Sequence, residues 1–325
     1  MYWNIQQPLQ YNALFNFIVG ARGVGKTYGC KEFCIDNYFA DGSQFVYVRR
    51  YKDELSGIKN FFDDISEKYE QEFKVHNRAF LTEDNEPIGF YLPLSTAKVN
   101  KSVPFPKVTD IIFDEFIIDK GFTRYIPDEA TNFLELYSTI SRGRDVRVWF
   151  LSNAITTYNP YFLYFNIKLP YKKDGIRVED DILVQMVQDN EFAEKMSQTR
   201  FGRLISGTPY GDYNMNNKFL VDTRTFIAKK SGNAKYFFSF LWDTQTYGVW
   251  LDSKAGAMYV SNDNDPTCKI VYTFMEKDQQ PNTVLLKGIR PYCIKTFVDV
   301  YKMGGLYFEN QNIKNICTEI LRLCL

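Results

Sequence analysis

The chain has 325 residues, 45% hydrophobic and 24% charged, which excludes a disordered protein and leaves room for two domains with cores of their own. Lys plus Arg and Asp plus Glu balance at 39 each, so no basic excess points to nucleic acid, and any grip on DNA has to come from a local basic surface. Met1 to Gln10 has neither a charged n-region nor an apolar h-region, and no stretch reaches the roughly 18 uninterrupted apolar residues of a membrane helix, so the chain reads as an intracellular, soluble protein without a membrane partner.

In chain order, Ala13 to Val19 (ALFNFIV) reads as a buried strand and Thr27 to Phe39 as a helix. Between them Gly20, Ala21, Arg22, Gly23, Val24, Gly25, Lys26 and Thr27 form a complete phosphate-binding loop, G-x-x-x-x-G-K-[ST]. The glycines let backbone N–H groups curl around phosphates, Lys26 reaches the β- and γ-phosphates, and the Thr27 hydroxyl coordinates Mg²⁺, so ATP and Mg²⁺ are the expected cofactors. A turn at Asp41-Gly42 leads to a strand over Gln44 to Val48, which ends in Arg49, Arg50 and Lys52. A helix is expected from about Asp53 to Lys68, and then a β-hairpin over Phe73 to Leu94, turning at Asp84-Asn85 as a decoration on the core.

Val108 to Phe113 is the next buried strand, and it delivers Asp114 and Glu115. Asp114 is placed to hold the water shell of a Mg²⁺ ion, and Glu115, one position on, to polarise an attacking water, so the pair predicts hydrolysis as well as binding. A helix from Pro127 to about Ser141 runs into Arg142 and Arg144, at a place that in ring ATPases commonly faces the neighbour's active site. Arg142 is the first candidate for a trans-acting catalytic arginine and Arg144 the second, the alternative for either being a solvated loop charge or a surface ion pair. The strand Val146 to Leu151 ends in Ser152 and Asn153, where Asn153 would sit beside the γ-phosphate as a sensor.

Beyond an aromatic-rich stretch from Asn159 to Lys173, a helix is expected over about Asp189 to Thr199. The Gly-, Asn- and Ser-rich run Thr199 to Asn217 reads as a linker or lid. Short strands follow at Thr225–Ala228, Tyr236–Trp242, Gly248–Asp252 and Ala257–Ser261, then helices at Val298–Lys302 and Asn312–Leu323. The last helix carries Ile313, Ile316, Cys317, Ile320, Leu321 and Cys324 on one face. The six cysteines (Cys30, Cys34, Cys268, Cys293, Cys317, Cys324) contain no C-x-x-C pair and only His76 could join them at a zinc ion, so they read as reduced, mostly buried thiols. The reading is therefore α/β: an ATPase domain over 1–197 with a mostly parallel sheet, a linker or lid over 198–225, and a smaller α+β domain over 226–325.

The motifs GARGVGKT, YVRRYK at Tyr47 to Lys52, IIFDEF at Ile111 to Phe116, YIP at Tyr125 to Pro127, LSNA at Leu151 to Ala154, NPYF at Asn159 to Phe162 and TRFGRLISGTPYG at Thr199 to Gly211 together resemble the DNA-packaging ATPases of small tailed bacteriophages, over most of the chain. The resemblance implies an ASCE-class P-loop ring motor, akin to large terminase subunits and typically a pentamer. Such a motor docks on the portal of an empty prohead and drives double-stranded DNA inward, in some cases with a packaging RNA as a further partner. It implies work in the host-cell cytoplasm, transiently attached to the prohead and absent from the mature virion. By the same resemblance Asp114 is the metal-binding acid, Glu115 the catalytic glutamate, Arg142 the trans-acting arginine and Lys101 a second trans-acting residue, while Lys52 and Lys120 are candidate DNA contacts.

The family's C-terminal domain resembles a ribonuclease-H-like nuclease, and here this chain departs from the pattern. A two-metal nuclease needs converging carboxylates, and beyond Asp243, Asp252, Asp263 and Asp265 no late-helix acid set follows. Residues 226–325 are accordingly expected to be a vestigial nuclease fold that serves docking, without nuclease activity. Two other readings stay open: a P-loop small-molecule kinase, against which Glu115 and the lack of an arginine-rich lid count, and a GTP-dependent switch, for which Asn217-Lys218-Phe219-Leu220 lacks the aspartate of a guanine-reading motif.

Overall fold

The computed structural model describes residues 3–20, 22–96, 104–118, 125–153, 159–167, 169–170, 175–187, 194, 197–205, 226–268, 270–286 and 290–324. The chain forms two compact units, one of Met1–Asp119, Thr131–Thr156 and Leu169–Val221, the other of Lys120–Ala130, Thr157–Lys168 and Asp222–Leu325. The division is not the contiguous one expected at 197/198 and 225/226, because Lys120–Ala130 and Thr157–Lys168, which the expectation put in the first domain, belong to the second unit.

Among the described residues the first unit holds a nine-stranded sheet of β1 (Phe15–Gly20), β2 (Gln44–Arg49), β3 (Lys74–His76), β4 (Ala79–Leu81), β5 (Pro87–Pro93), β6 (Val108–Asp114), β7 (Arg147–Ser152), β8 (Ile176–Glu179) and β9 (Ile182–Val187). Its order is β3-β4-β5-β2-β6-β7-β1-β9-β8. The six strands from β5 to β9 in that order run parallel, and antiparallel strands close both edges. The central strands are parallel because they are apolar on both faces: β1 is buried along its whole length and β7 along all but its first residue. Among the described residues the helices of this unit are α1 (Gln6–Leu9), α2 (Lys26–Asp41), α3 (Ser66–Tyr69), most of α4 (Glu129–Ser141) and α6 (Arg200–Ile205). On one face Phe17 stacks on Phe150 at 4.3 Å, and Phe133 of α4 stacks on Phe113 at 5.5 Å.

The register decides where the site forms. Val19 pairs with Ser152, Leu151 with Asp114, and Val48 with Phe113, so β1, β7, β6 and β2 all end at one level. That level is the carboxyl edge of a parallel sheet, where open α/β folds bind their ligands.

Two expectations for this unit are corrected, and one strand is added. The hairpin over Phe73 to Leu94 is no decoration but a three-stranded continuation of the main sheet: β3 and β4 turn at Asn77 and Arg78, both at positive φ, and β5 then pairs in parallel with β2. The helix expected over Asp53 to Lys68 is broken into 3-10 turns at Lys52–Leu55 and Ile58–Asn60 and the single turn α3. Gly57 weakens it, and the buried Lys31 amine of α2 reaches across to Asp64 and to the Phe61 carbonyl, one of those a continuous helix would use for itself. The run Ile182–Val187 is a buried strand beside β1, which the reading passed over. The helix expected at Asp189 to Thr199 and the linker at Thr199 to Asn217 fall largely outside the described residues.

The second unit's described residues hold a six-stranded sheet of β10 (Lys235–Trp242), β11 (Gln245–Asp252), β12 (Ala257–Ser261), β13 (Val271–Thr273), β14 (Thr283–Leu285) and β15 (Leu306–Phe308), ordered β14-β13-β10-β11-β12-β15. β10, β11 and β12 form an antiparallel meander, and β13, β14 and β15 add to it in parallel pairings. Helices α5 (Pro160–Tyr164), α7 (Tyr292–Lys302) and α8 (Gln311–Cys324) belong to this unit. The stripe of α8 is core, with Ile313, Cys317, Ile320, Leu321 and Cys324 buried. The strand expected at Thr225–Ala228 is reduced to an isolated bridge of Ile227 to Phe308 among the described residues.

Candidate nucleotide site

The phosphate loop leaves β1 at Gly20, and two positive-φ glycines, Gly23 at 85° and Gly25 at 83°, turn the chain into α2. Gly20 itself is a matter of space: a Cβ there would lie 2.4 Å from the Val187 carbonyl oxygen of β9. The loop is tied from outside by Trp3, whose N–H donates to the Val24 carbonyl at 2.8 Å and whose ring lies against Gly29. The Trp3 indole N–H in turn donates to Gln185 of β9 at 2.9 Å, and Gln185 donates to Gln7. Ala21 lies outside the described residues, and Arg22 is exposed.

Lys26 opens α2 and is buried. Its amine donates to the Gly20 carbonyl at 3.0 Å and to Asn153 Oδ1 at 2.9 Å, which brings the expected sensor residue directly to the phosphate-loop lysine. Burial is the main influence on this amine, outweighs the opposing pull of Asp114 and Cys30, and holds it down to about 7. A buried amine of this kind at the start of a helix suits an anion such as a nucleotide phosphate. Thr27 Oγ1 donates to Asp114 Oδ2 at 3.1 Å, so a hydroxyl and a carboxylate, the hard oxygen donors that Mg²⁺ takes, stand together at the mouth of the loop. The residues present therefore fit a magnesium nucleotide.

Asp114 and Glu115 leave the end of β6. Glu115 bends at φ 58°, its N–H donates to Asp114 Oδ1 at 3.0 Å, and its carboxylate is about half exposed. Three residues of the Tyr47 to Lys52 motif hold this pair, a role that their place in the sequence did not assign to them. Tyr47 donates its hydroxyl to Asp114 Oδ2 at 3.1 Å. Arg49 donates to Glu115 Oε2 at 2.6 Å. The buried Arg50 donates to the main-chain oxygens of Glu115 at 3.2 Å and Phe116 at 2.6 Å. Burial, and next the Asp114 carboxylate, push the Tyr47 phenol well above its ordinary range, so it stays a donor. The signal was present as Arg49-Arg50 at a strand end, but only the β2–β6 pairing aims them at the acids.

The two arginines after α4 have different settings. Arg144 gives its guanidinium to main-chain carbonyls of its own chain: Nε to Ser141, Nη1 to Pro106 and Val108, Nη2 to Phe105 and Ile140, at 2.7–3.1 Å. All five N–H donors are thereby in use, which corrects the expectation that Arg144 could serve a neighbour's phosphate. Arg142 sits at φ 47° next to Gly143 at 83°, and this left-handed pair ends α4 and leaves the Arg142 side chain exposed. Lys52 is exposed one residue beyond the Arg50–Tyr51 corner. Lys101 and Lys120 fall outside the described residues.

In the second unit the carboxylates singled out by the sequence each have a local partner. Asp243 pairs with Lys277 at 3.0 Å and Asp263 with Lys230, Asp252 takes Ser231 and the turn N–H groups of Lys254 and Ala255, and Asp265 takes Thr267. Among the described residues no three of His, Cys, Asp and Glu converge so that they could hold a metal ion. Cys30, Cys34, Cys317 and Cys324 are buried free thiols, and Cys268 and Cys293 are half-buried ones.

Among curated proteins, the DNA packaging protein of Bacillus phage phi29 is 39% identical to this chain over 325 residues that cover 99% of this chain and 97% of that protein. Among solved structures, the bacteriophage Phi-29 viral genome packaging motor assembly contains a chain 38% identical with a TM-score of 0.60, covering 100% of this chain and 99% of the other. The N-terminal domain of the DNA packaging ATPase from bacteriophage phi29 is 40% identical with a TM-score of 0.55, covering 57% of this chain and 96% of that domain. The family model described as podovirus DNA encapsidation protein (Gp16) matches residues 1–324, and with the phosphate loop, the Asp114–Glu115 pair and the parallel sheet in register behind them, this chain belongs to that family.

Proposed function

We propose that this protein is an ATP-driven motor that translocates double-stranded viral DNA into a preformed prohead, hydrolysing ATP at the subunit interfaces of a homo-oligomeric ring, a pentamer by family resemblance. The observation that carries the proposal is the junction of a phosphate loop with an acid pair held from β2: Thr27 on Asp114, and Glu115 held by Arg49. The names of the relatives, a DNA packaging protein and a genome packaging motor assembly, support the substrate and the ring.

In this reading the loop N–H groups and Lys26 bind the β- and γ-phosphates, and Asn153, already on Lys26, registers whether the γ-phosphate is there. Thr27 and Asp114 would hold Mg²⁺, which neutralises the charge that develops on the phosphates. Glu115 orients the attacking water and accepts its proton, and for that its carboxylate has to leave Arg49. The exposed Arg142 reaches the neighbouring subunit's phosphates, and Lys101 is the second trans-acting residue. Lys52 and Lys120 are the candidate DNA contacts, through phosphate-directed, sequence-tolerant interactions. The second unit docks the motor on the portal, with a packaging RNA as a further candidate partner, and its locally paired carboxylates support a role without DNA cutting. The work is done in the host cytoplasm on the prohead, from which the motor departs before the virion matures.

The test is steady-state ATP hydrolysis with purified proheads, with and without double-stranded DNA, scored together with protection of the DNA from nuclease. DNA-stimulated turnover and protected DNA, both lost in Glu115→Gln, are expected. Arg142→Ala should bind ATP yet fail to hydrolyse it, and mixing it with Glu115→Gln subunits should restore part of the activity. Turnover indifferent to DNA would refute the motor and favour a small-molecule kinase.

A further inference from the structure

The Asp114 carboxylate is held by donors from three separate segments of the chain. Oδ2 accepts the Thr27 hydroxyl and the Tyr47 hydroxyl, each at 3.1 Å, and Oδ1 accepts the Glu115 N–H at 3.0 Å. An ionised carboxylate offers about four acceptor positions, so three are filled and the plane of the group is set. The three donors are not equivalent. Thr27 is shared with the ion it would coordinate, and the Glu115 N–H belongs to the positive-φ bend that carries the proposed catalytic carboxylate. Tyr47 has no other duty at the metal. It is buried in β2, its ring lies 4.7 Å from that of Phe61, and that ring stacks on Phe80 at 4.6 Å, so the phenol is fixed by the core.

We propose that Tyr47 is a positioning residue for the magnesium ion: its hydroxyl holds in one orientation the Asp114 carboxylate that would bind the metal through water. The inference rests on the magnesium-nucleotide reading of the site. Partners of metal-holding groups act in this way generally, by fixing the orientation of the ligand. A tyrosine suits the task because it adds no charge beside the phosphates and can only donate to an ionised carboxylate.

The experiment measures ATP affinity of the full-length protein by calorimetry, first in excess EDTA and then over a series of Mg²⁺ concentrations. Wild type should bind more tightly with Mg²⁺, and if it does not, the reading of the site fails before Tyr47 is in question. Tyr47→Phe keeps the ring and its packing and removes the one oxygen. Its affinity in EDTA should match wild type, while the Mg²⁺ concentration that gives half of the affinity gain should rise by roughly tenfold. Tyr69→Phe removes a comparable hydroxyl, one that donates to Asp36 at 2.7 Å away from the site, and should leave the Mg²⁺ dependence unchanged. An unchanged Mg²⁺ dependence in Tyr47→Phe would overturn the inference. So would an equal loss of affinity with and without Mg²⁺, which would make the hydroxyl merely structural.

Discussion

Nucleotide binding should take up a proton, and the lysine of the phosphate loop sets how much. Burial holds the Lys26 amine down to about 7, so the folded pKa lies below the unfolded one near 10.4. With that value, about half of the free sites carry the charge at pH 7, about a tenth at pH 8, and about nine-tenths at pH 6. A bound polyphosphate stabilises the ammonium form and returns it to full protonation, so binding should take up about 0.9 proton at pH 8, about 0.5 at pH 7 and about 0.1 at pH 6. The sign for stability follows from the same shift. Between pH 7 and about 10.4 the unfolded chain binds more protons at this residue than the folded one, so this group makes the nucleotide-free protein more stable as pH rises through that window, by at most ~1.4 kcal/mol per pH unit. The assay is calorimetric titration with ATP in saturating Mg²⁺, repeated in buffers of different ionisation enthalpy, where the slope of heat against buffer enthalpy counts protons. The background is small, because the single histidine, His76, is exposed on β3 at the far edge of the sheet. Binding at pH 8 with no proton uptake, or uptake that grows toward pH 6, would refute the reasoning.

Two substitutions separate the arginines around the site. Arg49→Ala removes the 2.6 Å contact to a half-exposed Glu115, an interaction of about 1 kcal/mol after solvent screening, so hydrolysis without DNA should rise by a factor of about two to five while ATP affinity holds; a fall in that turnover would show that Arg49 assists the chemistry instead of restraining it. Arg144→Ala should cost ~2 kcal/mol, a drop in melting temperature of roughly 4–8 °C, because one planar fork joins the end of α4 to the start of β6. Arg144→Lys should not restore it, since an ammonium has three donors and no fixed plane. Unchanged melting with lost hydrolysis would return Arg144 to a trans-acting role.

The glutamate bend shows how sequence and fold divide the work. Asp114-Glu115 was legible as an acid pair because it follows the strand-like run Val108 to Phe113, whose last three residues are apolar, and such a strand ends at a sheet edge whatever the topology. What governs the pair was not legible. Tyr47, Arg49 and Arg50 lie more than 60 residues earlier, and they meet the acids only because β2 pairs with β6 in a register that sets Val48 beside Phe113. Arg142 and Arg144 look alike in the sequence, two residues apart in one loop. The left-handed turn at Arg142 and Gly143 points one outward and folds the other back onto five carbonyls.

The sequence by itself determined the phosphate loop, the acid pair and the parallel α/β core, because each depends on local chemistry: glycines where the backbone turns tightly, a lysine and a threonine at fixed offsets, and apolar runs long enough for buried strands. It did not determine that residues 73–94 extend the main sheet, that 182–187 flanks β1, or that the segment after β2 fails to be a helix. Those outcomes rest on contacts between distant segments, such as Lys31 with the Phe61 carbonyl and Gly20 against Val187. Only the tertiary structure could decide them, because strand order and side-chain capture depend on which surfaces meet in three dimensions, and no local propensity encodes that meeting.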